Sequence, residues 1–464
     1  MSSSFVNSPG TLRPMLVLTA PVLVEQMLHL LVGLVDMWLT GNLLGDEAYV
    51  AAMTLVIYAL WLIGNLFSFI AVGSTALTAR LVGAGDRELA NRVMNQSITA
   101  GMIWSGLLMV ITLPFAHQFA AVMGLEGTAA EAATGYLTIE LCVLPAIMIE
   151  RIGIACLRGA GDMTSGLVVM AIVNVINIAA SYSLAAGLGP LPELGWTGIA
   201  LGTAIGHVCG AIILLALLAG GRAGFHLRFS DMRPDFSLIR RLLRVGIPGG
   251  IDVILVSICH LIYLRIILSL GDVAAAAHGV AIQVEALGFM PGGAFQISAA
   301  TMTGQYLGAR DLVRARRSTI MACVMACLIM GAAGVFFYIA AGPLASFFLG
   351  GPSGDVVPIA TELLHVVAYA MVPLALMMVL IGALRGAGDT RWPLLLNLLG
   401  IVLLRVPLAI YLAHDEITIP YVATIAGAGL GVVGAWYAAI ADIVLRCGLL
   451  IARFQHEGWQ KIDV

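Results

Sequence analysis

Charge is what this sequence has least of. Of its 464 residues, 11% are charged and 60% are hydrophobic. A soluble domain carries about 25% charged and roughly 45–50% apolar residues, so most of this chain does not face water. A net charge of −3 leaves no basic footprint for nucleic acid. Cysteine is scarce as well. The seven thiols, Cys142, Cys156, Cys209, Cys259, Cys323, Cys327 and Cys447, lie in or beside apolar runs, and none forms a CxxC pair. They read as small buried thiols and not as a metal site. No ten-residue segment alternates apolar with polar residues, which excludes an outer-membrane barrel and makes strands unexpected. There is no HExxH and no GxSxG, and nothing resembles a filter loop. Neither a membrane-embedded enzyme nor a channel has support here.

Long apolar runs are abundant. Roughly 20 apolar residues suffice to cross about 30 Å of hydrocarbon. Twelve such runs lie near 15–41, 49–79, 94–115, 134–157, 164–187, 197–220, 240–269, 274–307, 318–341, 357–384, 392–413 and 421–450. Several are long enough to tilt or to extend past the bilayer. Met1–Gly10 is short and polar, and the run after it is long, so it reads as a first span and not as a cleavable signal.

Arginine orients these spans. Arg80, Arg87 and Arg92 follow span 2, and Arg158 follows span 4. Arg222, Arg228, Arg233, Arg240, Arg241 and Arg244 follow span 6. Arg310, Arg314, Arg316 and Arg317 follow span 8, and Arg385 and Arg391 follow span 10. Arg13 lies near the N-terminus, with Arg453 and Lys461 near the C-terminus. The intervening loops, 42–48, 116–133, 188–196, 270–273, 342–356 and 414–420, contain no lysine or arginine. Basic loops stay in the cytoplasm. The expectation is a multi-pass protein of the inner (plasma) membrane with both termini cytoplasmic.

The two halves repeat. Pro21 matches Pro248, Gly45-Asp46 matches Gly271-Asp272, and Gly83-Ala84 with Asp86 matches Gly308-Ala309 with Asp311. Pro145 matches Pro373, and Leu157–Asp162 (LRGAGD) recurs as Leu384–Asp389, all at offsets of 225 to 228. An even number of spans per half gives both halves the same orientation, so the repeats are parallel. The division expected is a first six-helix lobe over 1–221, a basic linker over 222–239 and a second lobe over 240–464. Two like-oriented bundles suggest a central cleft and alternating access. The repeated Gly-Ala-Gly-Asp follows a long helix and lacks the lysine of a phosphate loop. It reads as a helix stop and chain reversal.

These motifs together resemble the multidrug and toxic compound extrusion (MATE) family. They are Pro21, Asp36, Gly41 and Gly45; Gly83–Asp86; Leu157–Asp162; Phe289-Met290-Pro291; Thr303-Gly304-Gln305 with Leu307–Ala309; and Leu384–Thr390. The resemblance runs from about Leu12 to Leu450. It implies an all-α integral membrane fold of twelve helices in two lobes around a V-shaped cleft. It further implies export of organic, cationic or amphiphilic compounds in exchange for H⁺ or Na⁺. That coupling ion is the only cofactor expected, with no metal and no catalytic residue. The partners expected are small organic substrates and membrane lipid, and the chain is expected to be a monomer. A flippase of lipid-linked intermediates, from the same superfamily, is the alternative. It would want several basic residues in the cleft, whereas the cleft candidates here are mainly acidic.

Independently of family, an ionisable group at membrane depth costs about 2.5–3.5 kcal/mol to insert. Glu25, His29 and Asp36 share one face of span 1, because eleven residues is close to three turns. Span 5 offers Asn174 and Asn177, and span 6 offers Thr203 and His207. By the resemblance, Asp36, Asn174, Asn177 and Thr203 form a first-lobe cation or proton site. Tyr136 supplies a span 4 phenol, and Glu25 is a weaker member. A carboxylate with amide and hydroxyl oxygens suits Na⁺, and a buried carboxylate suits a proton. The bland alternative is helix-bridging polar groups, and His29 and His207 read as packing residues. Glu150-Arg151 reads as a snorkelling pair near the cytoplasmic end. Glu140, deeper in span 4, lines the cleft on this reading, with Gln283, Glu285 and Met290 of span 8. Flexible methionine suits ligands of varied shape. Span 7 carries Asp252 and Arg265 near its ends, and span 10 carries Glu362 near its outer end. Glu285 is expected to be the second lobe's one mid-membrane acid, either paired with Arg405 or meeting a cationic substrate. The position matching Asp36 is Tyr263, and those matching Asn174 and Asn177 are Ile401 and Leu404. A single coupling site, in the first lobe, follows.

Overall fold

A computed structural model describes residues 10–349, 351, 354–419 and 423–462. Helices dominate it. The first half comprises α1 (Leu12–Leu39), α2 (Glu47–Leu66), α3 (Ser68–Gly83), α4 (Arg87–Thr112), α5 (Ala116–Val122), α6 (Gly127–Cys142), α7 (Leu144–Gly159), α8 (Met163–Ala186) and α9 (Gly195–Ala219). The second half comprises α10 (Phe236–Leu268), α11 (Asp272–Gly308), α12 (Leu312–Ile339), α13 (Ala341–Phe348), α14 (Val356–Gly386), α15 (Arg391–Asn397), α16 (Val406–Ala413) and α17 (Gly431–Gln455). A π-helical segment, Leu398–Arg405, joins α15 to α16.

Eleven helices among the described residues are long and apolar enough to cross a membrane. The twelfth span, α6 with α7, is interrupted at Val143. Pro145 follows immediately and cannot donate the hydrogen bond that would carry one helix through. Span 2 is likewise interrupted, at Phe67. In the second half Pro248, Pro291 and Pro373 all sit inside continuous helices. Large apolar side chains such as Val110, Val122, Leu328 and Ile339 face outward. A soluble protein would not expose so many together, whereas lipid covers them without cost.

The repeated Gly-Ala-Gly-Asp builds a reversal at each of its sites. Gly161 and Gly388 adopt φ of +87° and +85°, a left-handed conformation that glycine enters without steric cost. The amide of Asp162 then bonds the Leu157 carbonyl at 2.9 Å, and that of Asp389 bonds Leu384 at 2.8 Å. Both close a Schellman-type cap. Asp162 goes on to cap α8 through the Ser165 amide at 3.1 Å, and Asp86 and Asp311 cap α4 and α12 in the same way. Asp389 is held by Arg453 instead, at 2.7 Å.

Two expectations need correction. The last span was placed over 421–450, but α17 starts at Gly431. Residues before it form an antiparallel hairpin, β1 (Glu416–Ile419) with β2 (Ala423–Ala426). Gly429 and Gly431, at φ +64° and +59°, stop a helix from starting earlier. Positions 420–422 lie outside the described residues. Strands were also not expected, and this short hairpin outside the spans is the exception.

The apolar cores form two clusters. One gathers residues from Val32 to Val245, the other residues from Tyr263 to Trp459. Met15, Leu18 and Val22 of α1 pack into the second cluster, so α1 crosses from one lobe's core to the other's. The linker is strapped to α4. Asn95 donates to the His226 carbonyl at 3.0 Å and accepts from the Arg228 amide at 3.0 Å. Gln96 donates to Arg233 at 2.7 Å and accepts from the Asp235 amide at 2.9 Å.

At the arginine-rich end the halves meet backbone to backbone. A Cβ on Gly83 would overlap the Gln305 carbonyl, and one on Gly308 would overlap the Arg80 carbonyl. Thr301 and Gln305 of α11 donate to the carbonyls of Arg158 and Gly159 at 3.0 and 2.8 Å. Alanine at Gly308 is therefore expected to cost about 1–3 kcal/mol, read as a lower melting midpoint of the purified protein. Alanine at Gly106, which has open space around its would-be Cβ, is expected to be neutral or stabilising by up to about 1 kcal/mol. Equal effects at the two positions would remove the close-approach argument.

Candidate functional site

The geometry of the first lobe centres on Asp36, which is 3% exposed. Its Oδ2 accepts hydrogen bonds from the Tyr136 hydroxyl and from the Thr203 hydroxyl, each at 2.8 Å. Its Oδ1 accepts from Asn177 Nδ2 at 3.3 Å. Thus α1 supplies the acid, α6 the phenol, α8 the amide and α9 the alcohol. Tight packing of α8 on α9 brings the last two together, since a Cβ on Gly202 would overlap Ser181. Asn177 also donates to Thr203 at 2.8 Å and to Ser181 at 3.2 Å. Beside Tyr136, the Trp196 ring packs at a tilt with a centroid separation of 5.4 Å, and Tyr49 stacks on Trp196 at 5.3 Å. These rings exclude water from one side.

The donors around Asp36 are all neutral. No cationic side chain lies within 4.0 Å of it among the described residues. Glu140, one turn beyond Tyr136 on α6, is fully buried, and neither of its oxygens has a hydrogen-bond partner. It stands close enough to Asp36 for the two charges to repel. Asn177 Oδ1 and Asn174 Oδ1 are also buried without partners. The region therefore holds more acceptors than donors. A buried carboxylate without a countercharge is strongly disfavoured, which sets Asp36 and Glu140 apart from the buried acids that have a basic partner.

Not every expected member joins. Asn174 spends its amide nitrogen on the carbonyls of Leu28 and Met170, at 3.0 and 2.8 Å, and bridges α8 to α1. Glu25 belongs elsewhere: its Oε1 is held by Arg158 at 2.8 Å, with His29 at 3.8 Å. The face shared with Asp36 is real, but eleven residues along a helix is about 16 Å, and a fixed guanidinium already compensates Glu25. Glu150 does not snorkel. It is buried, and its carboxylate meets His207 at 3.1 Å between α7 and α9.

The second lobe keeps one device and lacks the other. Asp252 is held by Arg385 at 2.6 Å and by Asn397 at 2.6 Å. Asp252 and Arg385 sit 227 residues after Glu25 and Arg158, so this ion pair is repeated in both lobes. Tyr263, in the place of Asp36, lies under the guanidinium of Arg405 at 5.9 Å from the ring centroid. Arg405 pairs with Asp442 at 2.8 Å, and Arg446 pairs with Asp442 at 2.6 Å. Glu285 is thus not the partner of Arg405, nor the lobe's one mid-membrane acid. The Asp442 and Arg446 spacing of four was visible in the last apolar run and is the signal the sequence reading passed over.

A cavity of about 300 Å³ lies between the lobes. Its wall carries His29, Arg151, Arg158, Gln296 and Arg385, and no aspartate or glutamate. Glu140, Gln283, Glu285 and Met290, expected to line a cleft, do not line this cavity. Glu140 is enclosed within the first lobe, Gln283 is exposed, and Glu285 and Met290 are half-buried on α11.

The repeated ion pair yields a stability test. Arg158→Gln leaves Glu25 buried without its countercharge and is expected to cost about 3–5 kcal/mol. The double change Glu25→Gln with Arg158→Gln is expected to recover most of that loss, measured by melting in detergent. Additive effects of the two changes would show that they do not act as a pair.

Comparison with known proteins agrees with this architecture. Residues 21–183 and 248–411 each match the MatE family model, one match per half. The chain is 26% identical over 454 residues to the probable multidrug resistance protein NorM of Thermotoga maritima, covering 98% of this chain and 94% of that one. It is 24% identical to the multidrug resistance protein MdtK of Pectobacterium atrosepticum, covering 96% and 95%. The outward-facing conformation of a multidrug resistance MATE family transporter of the MOP superfamily superposes with a TM-score of 0.88 at 20% identity, covering 100% and 99% of the two chains. With its two matched repeats, its apolar spans and its inter-lobe cavity, this chain belongs to the MatE family: it is a multi-pass membrane transporter and not an enzyme.

Proposed function

We propose that this chain is a secondary active antiporter that exports organic compounds and takes up H⁺ or Na⁺ at the Asp36 cluster. The observation that carries the reading is the contrast among buried acids. Glu25, Glu150, Asp252 and Asp442 each have a basic partner within 4.0 Å. Asp36 has only neutral donors, and Glu140 has none. A fixed guanidinium would hold a carboxylate in one state, whereas an uncompensated acid responds to the ion it is offered. The names of the relatives support multidrug export, and the parallel repeats support rocking of one lobe against the other. The arginine-rich ends of the spans are then cytoplasmic, with both termini, in the plasma membrane. The packing of Gly83 against Gln305 and of Gly308 against Arg80 closes that side. A second reading, the flipping of a lipid-linked intermediate, is favoured by the three arginines of the cavity wall.

Efflux of a water-soluble dye from cells or proteoliposomes, with Na⁺ and pH gradients imposed separately, tests the proposal. Export driven by either gradient is the expected result, and absence of gradient-driven efflux in both arms would leave only the flippase reading. Asp36→Asn is expected to abolish gradient-driven efflux with expression intact. Asn177→Ala is expected to weaken the apparent affinity for the coupling ion by roughly tenfold, the loss of one hydrogen bond to a charged group. Glu285→Gln is expected to leave the ion dependence in place. Loss of coupling in Glu285→Gln with normal coupling in Asp36→Asn would assign the site to the wrong lobe.

A further inference from the structure

The inter-lobe cavity is walled by guanidinium groups. Arg151, Arg158 and Arg385 reach it, with His29 and Gln296, and no acid does. Arg158 and Arg385 are the repeat-related arginines, one from each lobe. Each is tied to an acid, Glu25 or Asp252, that is wholly buried, while the arginine side chains are 18% and 19% exposed. The carboxylates therefore lie behind the guanidinium groups, and the cavity meets the cationic side. The Nε of Arg158 and the Nε of Arg385 are both buried and find no acceptor.

Arg151 adds a third guanidinium, one without an ion-pair partner. Its side chain is exposed to the cavity, beside Gly64 of α2. It forms no ion pair within 4.0 Å among the described residues. The neighbouring Glu150 points the other way, against Gly210 and His207 of α9. Three guanidinium groups thus face the cavity and two carboxylates stand behind them. Arg151 is thus a guanidinium at membrane depth that faces the cavity with no ion-pair partner of its own, and such a group marks a functional contact. The remaining wall includes Phe67, Val72, Ile154 and Ile297. At about 300 Å³ the space is at the small end of ligand pockets.

We propose that the inter-lobe cavity is a binding site for an organic anion: an apolar body bearing one acidic head group, such as a carboxylate, sulfonate or phosphate monoester. Planar guanidinium forks match such oxyanions geometrically. The head group meets the guanidinium of Arg151 and the exposed edges of those of Arg158 and Arg385, and the apolar body lies along Phe67 and Ile154. Because Arg158 and Arg385 come from opposite lobes, the head group spans the interface that must open for transport. This inference rests on the reading of the cavity as the transport path. It replaces the cationic substrate expected from acids that turn out not to line the cavity.

The test is equilibrium binding to the full-length protein in phosphatidylcholine nanodiscs, with no ion gradient. Three radiolabelled probes share one ring system: naphthalene-2-sulfonate, 2-naphthyltrimethylammonium and neutral 2-methoxynaphthalene. The sulfonate is expected to bind at least about tenfold tighter than the ammonium probe. Arg151→Gln is expected to weaken the sulfonate about ten- to hundredfold, the loss of one charge-assisted contact, and to leave the neutral probe unchanged. Arg151→Lys is expected to restore part of the affinity. Because Arg151 has no partner to strand, an unchanged melting midpoint verifies the fold of each variant. Displacement of the sulfonate by added phosphatidylglycerol assigns the native head group to a lipid; no displacement assigns it to a dissolved compound. Ammonium binding equal to or tighter than sulfonate binding overturns the proposal, and so does an Arg151→Gln variant that keeps full sulfonate affinity. Binding needs no gradient, so a failure of H⁺ or Na⁺ coupling in the efflux assay leaves this result standing, and the reverse holds too.

Discussion

The cost of an uncompensated charge in a medium that cannot solvate it organises this molecule. Inside the spans, acids occur in two kinds of surroundings. Glu25, Glu150, Asp252 and Asp442 are locked to arginine or histidine, and such pairs tie helices together while staying in one ionisation state. Asp36 and Glu140 are buried with neutral neighbours or none. The first kind builds the lobes. The second leaves a deficit of positive charge, and the proposed coupling site rests on that deficit. Arg151 is the mirror case, a guanidinium without an ion-pair partner facing the inter-lobe cavity.

The repeat shows what duplication kept and what it let go. The acid–arginine pair of α1 and α7 recurs between α10 and α14, because each lobe needs its first helix tied to its fourth. The polar cluster does not recur. Tyr263 stands in place of Asp36, and the second lobe uses Arg405, Asp442, Arg446 and Asn397 as a network in which two guanidinium groups share one carboxylate. That network has no acid free to bind an ion, so the lobe is suited to serve as a rigid wall.

The same logic bears on motion. Both repeated ion pairs lie within a lobe, so rocking need not break them. Between the lobes at the arginine-rich end the contacts include glycine backbone packing, side-chain-to-carbonyl bonds from Thr301 and Gln305, and bonds from Arg80 to the Ala387 and Ile462 carbonyls. Contacts of this kind are close but individually weak, each bond contributing about 0.5–1.5 kcal/mol. They can hold one end shut and still part under a modest shift in the balance between states.

Much of this was legible in the sequence because it depends on local pattern. Apolar run length set the spans, arginine placement set their expected orientation, and the constant offset exposed the repeat. The glycine and aspartate of each repeated turn announced the reversals, since left-handed backbone and helix capping are properties of those residues alone. The residues that meet at Asp36 were nameable because each is a polar group on an apolar helix, where it must find a partner. Which partner it finds is not a local property. Glu25 and Asp36 share a helix face, yet one meets Arg158, 133 positions away, and the other meets Tyr136, Asn177 and Thr203. The pairing of Arg405 with Asp442 was likewise decided only when helices packed. The polarity of the cavity was decided there too: the sequence supplies acids and arginines in similar numbers, and only packing determines which are turned inward and which face the space between the lobes.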